Sequence, residues 1–109
     1  MSVDHDSIKA NDLLVEGKKL DDEGKHEEAV ASFDKAIEIK PEFTRAWYNK
    51  GDALQKLERY DDAIACYDKA KNALAWYNKG DALQKLERYE EAVASYDKAI
   101  EEAEKRKSG

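Results

Sequence analysis

Fifteen residues, Ala46–Tyr60 (AWYNKGDALQKLERY), recur without a change at Ala75–Tyr89. A chain that repeats itself over such a length builds the same local unit twice and must stack the copies. The links between the units are not repeated. Ile37–Arg45 (IEIKPEFTR) joins Asp34-Lys35-Ala36 to the first copy, whereas only Lys71-Asn72-Ala73-Leu74 joins Asp68-Lys69-Ala70 to the second. The second connector is five residues shorter and has lost its proline. Natural repeats drift, so an unbroken identity beside a clean shortening points to engineering or a very recent duplication.

The apolar residues fall at helical spacing. Leu13, Leu14, Gly17 and Leu20 form one stripe, which ends near Asp22-Glu23-Gly24. Gly24 suits the left-handed residue that closes a helix. Ala29, Val30, Phe33, Ala36, Ile37 and Ile39 mark a second helix, stopped by Pro41. The first unit thus reads Leu13-x2-Glu16-Gly17-x2-Leu20, then Ala29-x3-Phe33, then Pro41. The second reads Trp47-x2-Lys50-Gly51-x2-Leu54, then Ala63-x3-Tyr67; the third reads Trp76-x2-Lys79-Gly80-x2-Leu83, then Ala92-x3-Tyr96. This spacing resembles the tetratricopeptide repeat. The departures are Glu16, Lys50 and Lys79 where that family prefers leucine, and turns without glycine at Glu58 and Glu87. The resemblance implies an all-α solenoid of helical hairpins: a flexible tail over residues 1–9, then repeats over residues 10–43, 44–72 and 73–109. Gly17, Gly51 and Gly80, opposed to Ala29, Ala63 and Ala92, let the two helices of each hairpin approach closely. Trp47 and Trp76 read as core aromatics between helices.

The short connector carries the sharpest expectation. Between Ala70 and Trp76 stands neither proline nor glycine, and Lys71, Ala73, Leu74 and Ala75 are good helix formers. Propensity therefore predicts one fused helix from about Asp61 to about Leu86, with Ala70, Lys71, Asn72, Ala73 and Leu74 as its rigid hinge. Such a rod presents the apolar faces of its two halves on nearly opposite sides. It carries the third repeat away from the second, so that a second copy of the chain supplies the missing cover in a domain-swapped homodimer or a larger assembly. The alternative is a tight turn at Lys71–Ala73 and a monomeric module.

Composition narrows the function. Charged residues make up 40% of the chain and mean hydropathy is -0.92, yet the periodic apolar stripes argue for thin charged helices rather than disorder. The net charge of -6, with both signs interleaved, argues against nucleic acid or an anionic membrane as partner. A single cysteine fits a reducing compartment such as the cytoplasm. Neither histidine has neighbours at metal-ligand spacing, and the acidic pairs Glu27-Glu28, Asp61-Asp62 and Glu90-Glu91 suit the first turns of helices. No enzyme, metal or cofactor is expected. Cys66, aligned with Ser32 and Ser95, reads as a partly exposed free thiol.

The resemblance implies peptide binding on the concave face, lined by the first helix of each repeat. That face would carry Arg45, Tyr48, Asn49, Asp52, Gln55 and Lys56, and again Tyr77, Asn78, Asp81, Gln84 and Lys85. Tyr48, Asn49, Asp52, Lys56, Tyr77 and Asn78 are the candidate peptide-binding residues, and Leu14, Lys18 and Asp21 join them from the first helix. Chaperone-binding members grip a peptide carboxylate with two asparagines and three basic residues. Asn49 matches one such position; Leu14, Lys18, Leu74 and Asn78 do not match the rest. The expectation is thus an interaction scaffold that associates with itself by exchanging its third repeat, or else a module for a short peptide.

Overall fold

The computed structural model describes residues 4–108. Its elements are six helices: α1 (His5–Asp22), α2 (His26–Ile39), α3 (Thr44–Lys56), α4 (Tyr60–Ala70), α5 (Ala73–Lys85) and α6 (Tyr89–Ser108). They pair as hairpins α1–α2, α3–α4 and α5–α6, and each hairpin packs on the next through α2–α3 and α4–α5. Helix α1 opens on Asp4, whose carboxylate accepts from the Ser7 amide at 3.2 Å and the Ser7 hydroxyl at 2.6 Å. The tail expected over residues 1–9 is therefore helical from His5; residues 1–3 lie outside the described part.

Within each hairpin a bare helix face meets an aromatic ring. A Cβ added to Gly17 would stand 2.5 Å from the Phe33 ring, to Gly51 2.7 Å from Tyr67, and to Gly80 2.5 Å from Tyr96. These glycines cost helix stability and return it as ring burial: Phe33 is fully enclosed and Tyr67 is 2% exposed. Burying a side chain of that size contributes about 1.5–3 kcal/mol, more than the roughly 1 kcal/mol that a helical glycine costs. Serine hydroxyls add a tie across the hairpin, from Ser32 to the Leu13 carbonyl at 2.8 Å and from Ser95 to the Trp76 carbonyl at 2.6 Å. Cys66 stands at that position in the second hairpin. It is buried, not partly exposed as its alignment with serines suggested, and burial pushes its thiol up to about 11.

The turn inside each hairpin has one geometry. Gly24 (φ 83°) and its counterparts Glu58 (φ 59°) and Glu87 (φ 61°) all adopt the left-handed conformation. The next amide, of Lys25, Arg59 or Arg88, donates back to Leu20, Leu54 or Leu83 at 2.9 Å.

The fused helix does not form. Helix α4 stops at Ala70, Lys71 turns left-handed (φ 55°, ψ 26°), and Asn72 is extended (φ -105°, ψ 172°). The Asn72 side-chain oxygen accepts from the Ala75 amide at 2.7 Å and its carbonyl from the Trp76 amide at 3.0 Å, which starts α5. Two residues reverse the chain. Summed propensity missed this because it weighs helix interiors and not ends. A left-handed lysine costs about 1–2 kcal/mol, and an asparagine cap offsets about 1 kcal/mol of it. The rest comes from stacking α5 on α4, which encloses Ala75 completely and leaves Ala70 only 6% exposed. With α5 folded back, the second and third hairpins cover one another within a single chain.

Candidate functional site

Helices α1, α3 and α5 line one face of the stack. Between α1 and α3, bounded by the start of α5, lies a groove of about 410 Å³. Leu14, Val15 and Lys18 enter it from α1, Arg45, Tyr48 and Asn49 from α3, and Asn72 and Leu74 from the turn and first residues of α5. A smaller recess of about 300 Å³ follows, lined by Asp52, Gln55, Lys56, Tyr60, Asn78 and Lys85.

Most of the expected site residues are committed to the fold. Asn78 donates to the Tyr48 hydroxyl at 2.9 Å and to the Asp52 carboxylate at 3.0 Å. The Tyr67 hydroxyl also donates to Asp52, at 2.5 Å, and the Gln55 amide donates to that hydroxyl at 3.0 Å. Asn78 is thereby a tie between the second and third hairpins. Burial raises the Asp52 carboxyl above its ordinary value, against the lowering effect of its hydrogen bonds from Tyr67 and Asn78. Lys56 is held too: its ammonium lies 2.6 Å from the buried Asp21 carboxylate, which also meets His26 Nδ1 at 2.6 Å. Burial pushes Asp21 up, but the hydrogen bonds from Lys56 and His26 prevail and its carboxyl sits below the ordinary value. Tyr77 stands apart, over half exposed, at the open end of the third hairpin.

Asn49 differs from its copy Asn78 through its neighbours alone. Where Asn78 faces Tyr48 and Asp52, the residues at the same positions of the first hairpin are Leu14 and Lys18. Leucine has no polar atom and lysine no acceptor, so the Asn49 amide has no side-chain partner among the described residues and opens into the groove. The nearby charges are Lys18, paired with Asp22 at 3.1 Å on the surface, and the exposed Arg45. Asn72 went unrecognised as a groove residue while it was read as helix interior; the cap that lifts it out of the helix also brings it here. The Asn78 network was legible in part, since Tyr48 and Asp52 lie one helical turn apart. Its third member could not be placed without the short turn.

No group of three or more His, Cys, Asp or Glu side chains among the described residues could hold a metal ion. Among those residues, too, no helix is long and apolar enough to cross a membrane.

A stack of helical hairpins with a groove along the face of its first helices defines a solenoid of the protein-interaction class. Family models described as tetratricopeptide (TPR) repeats match residues 17–58, 44–73 and 73–105. The chain belongs to the tetratricopeptide repeat family. An uncharacterized protein of Methanocaldococcus jannaschii, MJ0572, is 37% identical over 65 residues, which cover 60% of this chain and 76% of that one. Among solved structures, MamA superposes with a TM-score of 0.88 at 24% identity, over 93% of this chain; the chain spans 62% of that structure's length. The first TPR of Spaghetti (RPAP3), bound to the HSP90 peptide SRMEEVD, gives 0.85 at 26% identity, over 92% of this chain and 83% of that one. The TPR2B domain of yeast Sti1, in a complex designated pHsp70, gives 0.82 at 30% identity, over 85% and 78%.

Proposed function

We propose that this chain is a non-catalytic binding module that holds a short acidic peptide segment in the groove between α1 and α3. The observation that carries the reading is the free Asn49 amide, flanked by Lys18 and Arg45. An asparagine side chain can both donate to and accept from an extended peptide backbone. The exposed Arg45 beside it, with no ion-pair partner among the described residues, favours a carboxylate in a chain that is otherwise acidic, whereas Lys18 is already held by Asp22. Val15 and Leu74, both more than half exposed, offer apolar contact at the two sides. The peptide complexes of the Spaghetti and Sti1 domains support the class of ligand. The rest of the carboxylate grip is missing, because Leu74 is apolar and Asn78 is spent on Tyr48 and Asp52.

Fluorescence anisotropy with a set of labelled acidic peptides, SRMEEVD first, tests this. Asn49→Ala should weaken binding about tenfold, equivalent to about 1.4 kcal/mol, and Arg45→Glu further. Asn78→Ala should lower stability and leave affinity unchanged. Affinity that ignores Asn49→Ala and falls with Asn78→Ala would place the ligand elsewhere.

A second reading, self-association by exchange of the third repeat, draws on the left-handed Lys71. Straightening that residue joins α4 to α5 and frees the third hairpin for a second copy. It predicts a concentration-dependent mass in light scattering that reverts to monomer when an Ile-Lys-Pro-type loop is restored before Trp76. A monomer at every concentration rules exchange out.

A further inference from the structure

The outer side of the third hairpin repeats a surface that is covered elsewhere in the chain. On the second hairpin, α5 lies across Tyr67 and Ala70 and makes three defined contacts. Ala75 seats in the apolar cluster with no exposure, Asn78 reaches Tyr48 and Asp52, and Lys79 pairs with Asp68 at 2.6 Å. Helix α3 covers the first hairpin in the same way, with Ala46 enclosed and Lys50 on Asp34 at 2.6 Å. On the third hairpin the receiving groups are present and open. Tyr77 and Tyr96 pack with ring centres 5.5 Å apart beside a groove of about 480 Å³ floored by Ala99 and Ile100. Asp97, the counterpart of Asp34 and Asp68, is exposed and pairs with no cation among the described residues.

Helix α6 carries this surface as a stripe at alternating steps of four and three: Tyr89, Val93, Tyr96, Ile100 and Ala103. Tyr89, Val93 and Ile100 are each more than half exposed. Such a stripe receives a helix. We propose that it docks, in trans, an amphipathic helix of another protein bearing a small residue, an asparagine three positions on and a lysine four positions on. That is the pattern of Ala75, Asn78 and Lys79, and the acceptors waiting for it are the Tyr77 hydroxyl, Asp81 and Asp97.

Charge disfavours a second copy as the occupant. The outward positions of α1 that correspond to Ala75, Asn78 and Lys79 are Asp12, Val15 and Glu16. Stacked head to tail, they would set a carboxylate on Asp97 and leave Tyr77 without its amide. Pairing α6 antiparallel with its own copy would oppose the acidic flank of Glu90, Asp97 and Glu104 to itself. The site is separate from the groove between α1 and α3, so either can fail without the other.

The probe is an acetylated, amidated peptide with the sequence of residues 72–88, which keeps the Asn72 cap; the readout is amide chemical shifts of the full chain. Shifts are expected to concentrate on Tyr77, Tyr96, Asp97 and Ile100. Asp97→Lys should weaken binding at least fivefold, and a peptide carrying Lys79→Glu should recover it. Ile100→Asp, at an exposed position that the fold does not need, should abolish binding with helicity intact. A peptide with the sequence of residues 10–22 should bind at least tenfold more weakly. Shifts centred on Arg45 and Asn49, indifference to Asp97→Lys, or a protein that is already dimeric through α6 would each overturn the proposal.

Discussion

The second and third hairpins share fifteen residues letter for letter, and the structure treats them differently. What lies inside each hairpin is the same: Leu54 and Leu83 are both 2% exposed, and each glycine admits one tyrosine ring. What faces the next unit is not. Tyr67 is buried, and its hydroxyl belongs to a five-residue network closed by Asn78; Tyr96 is half-buried and its hydroxyl meets Asp81 and Gln84 of its own hairpin. Identical sequence therefore specifies the hairpin, while the neighbour decides how much each residue contributes. Stability in such a stack is a sum of unit and interface terms, and these two hairpins hold the first nearly constant while changing the second.

The largest expected contrast follows from removing the two rings. Tyr67→Ala should cost about 4 kcal/mol, in the range for a large core aromatic, because α5 seals the cavity it leaves. Tyr96→Ala should cost about half as much, since solvent already reaches that ring. Urea unfolding midpoints measure both. Equal losses would show that the interface adds nothing to what the hairpin supplies.

A methyl group at the paired glycines is the next test. The added Cβ approaches the Tyr96 ring more closely (2.5 Å) than the Tyr67 ring (2.7 Å). Distance alone therefore ranks Gly80→Ala as the worse change, but Tyr67 has nowhere to go and Tyr96 can swing outward. Gly51→Ala should destabilise by about 2 kcal/mol, the scale of overpacking. Gly80→Ala should fall within about 1 kcal/mol of neutral, because alanine's better helix propensity offsets the displaced ring. The opposite order would mean that Tyr96 is pinned by something other than its own hairpin.

How far the sequence could be read divides along the same line. Hairpin-internal features were legible from spacing: the glycines where the two helices close on each other, the acids that open the second helices, and Pro41 ending α2. What meets those glycines, however, is the Phe33, Tyr67 and Tyr96 rings and not the alanines read opposite them. Cys66 is a separate miss, since it looked like a partly exposed counterpart of serine. Ser32 and Ser95 are themselves buried, Ser95 on a hairpin that no further unit covers, so the position is interior to the hairpin and serine's polarity misled. Features that depend on a neighbour were not legible. Asn49 and Asn78 looked like one site twice, although Leu14 and Lys18 free the first while Tyr48 and Asp52 consume the second. The connector was misread for a related reason. Its residues favour helix one by one, but Asn72 caps and Lys71 reverses once the stacking of α5 on α4 outweighs the cost of a left-handed lysine.

That turn can be tuned in both directions. Lys71→Gly removes the steric penalty at φ 55° and should stabilise the stack by up to about 1 kcal/mol, less what a freer unfolded chain takes back. Asn72→Ala deletes the cap on the Ala75 amide and should cost about 1 kcal/mol. If the third hairpin exchanges at all, Asn72→Ala is the variant that should raise the dimer fraction in light scattering, and Lys71→Gly the one that lowers it. A stabilising Asn72→Ala would mean that α4 and α5 prefer to run on as one helix.

The smallest contrast is electrostatic, and its signs are opposite at two carboxylates. Asp21 has a folded pKa below the ordinary 3.8, so the stability it contributes is complete above that value and is lost as the pH falls through its folded pKa. Asp52 has a folded pKa above 3.8, so stability rises as the pH falls through that raised value and the gain is complete below 3.8. Asp21→Asn should therefore flatten the acid loss below the ordinary carboxylate range. Asp52→Asn, which keeps an acceptor for Tyr67, should remove a gain that wild type shows just above it. Because the Asn78 amide is one of the two hydrogen-bond donors that hold the Asp52 carboxyl down, Asn78→Ala should push it further up, enlarge the Asp52 signature and leave that of Asp21 in place. Urea midpoints between about pH 2.5 and 6 separate the two, and an Asp52 signature that shrinks in Asn78→Ala would mean that the asparagine shields the carboxyl from water more than its hydrogen bond holds it charged.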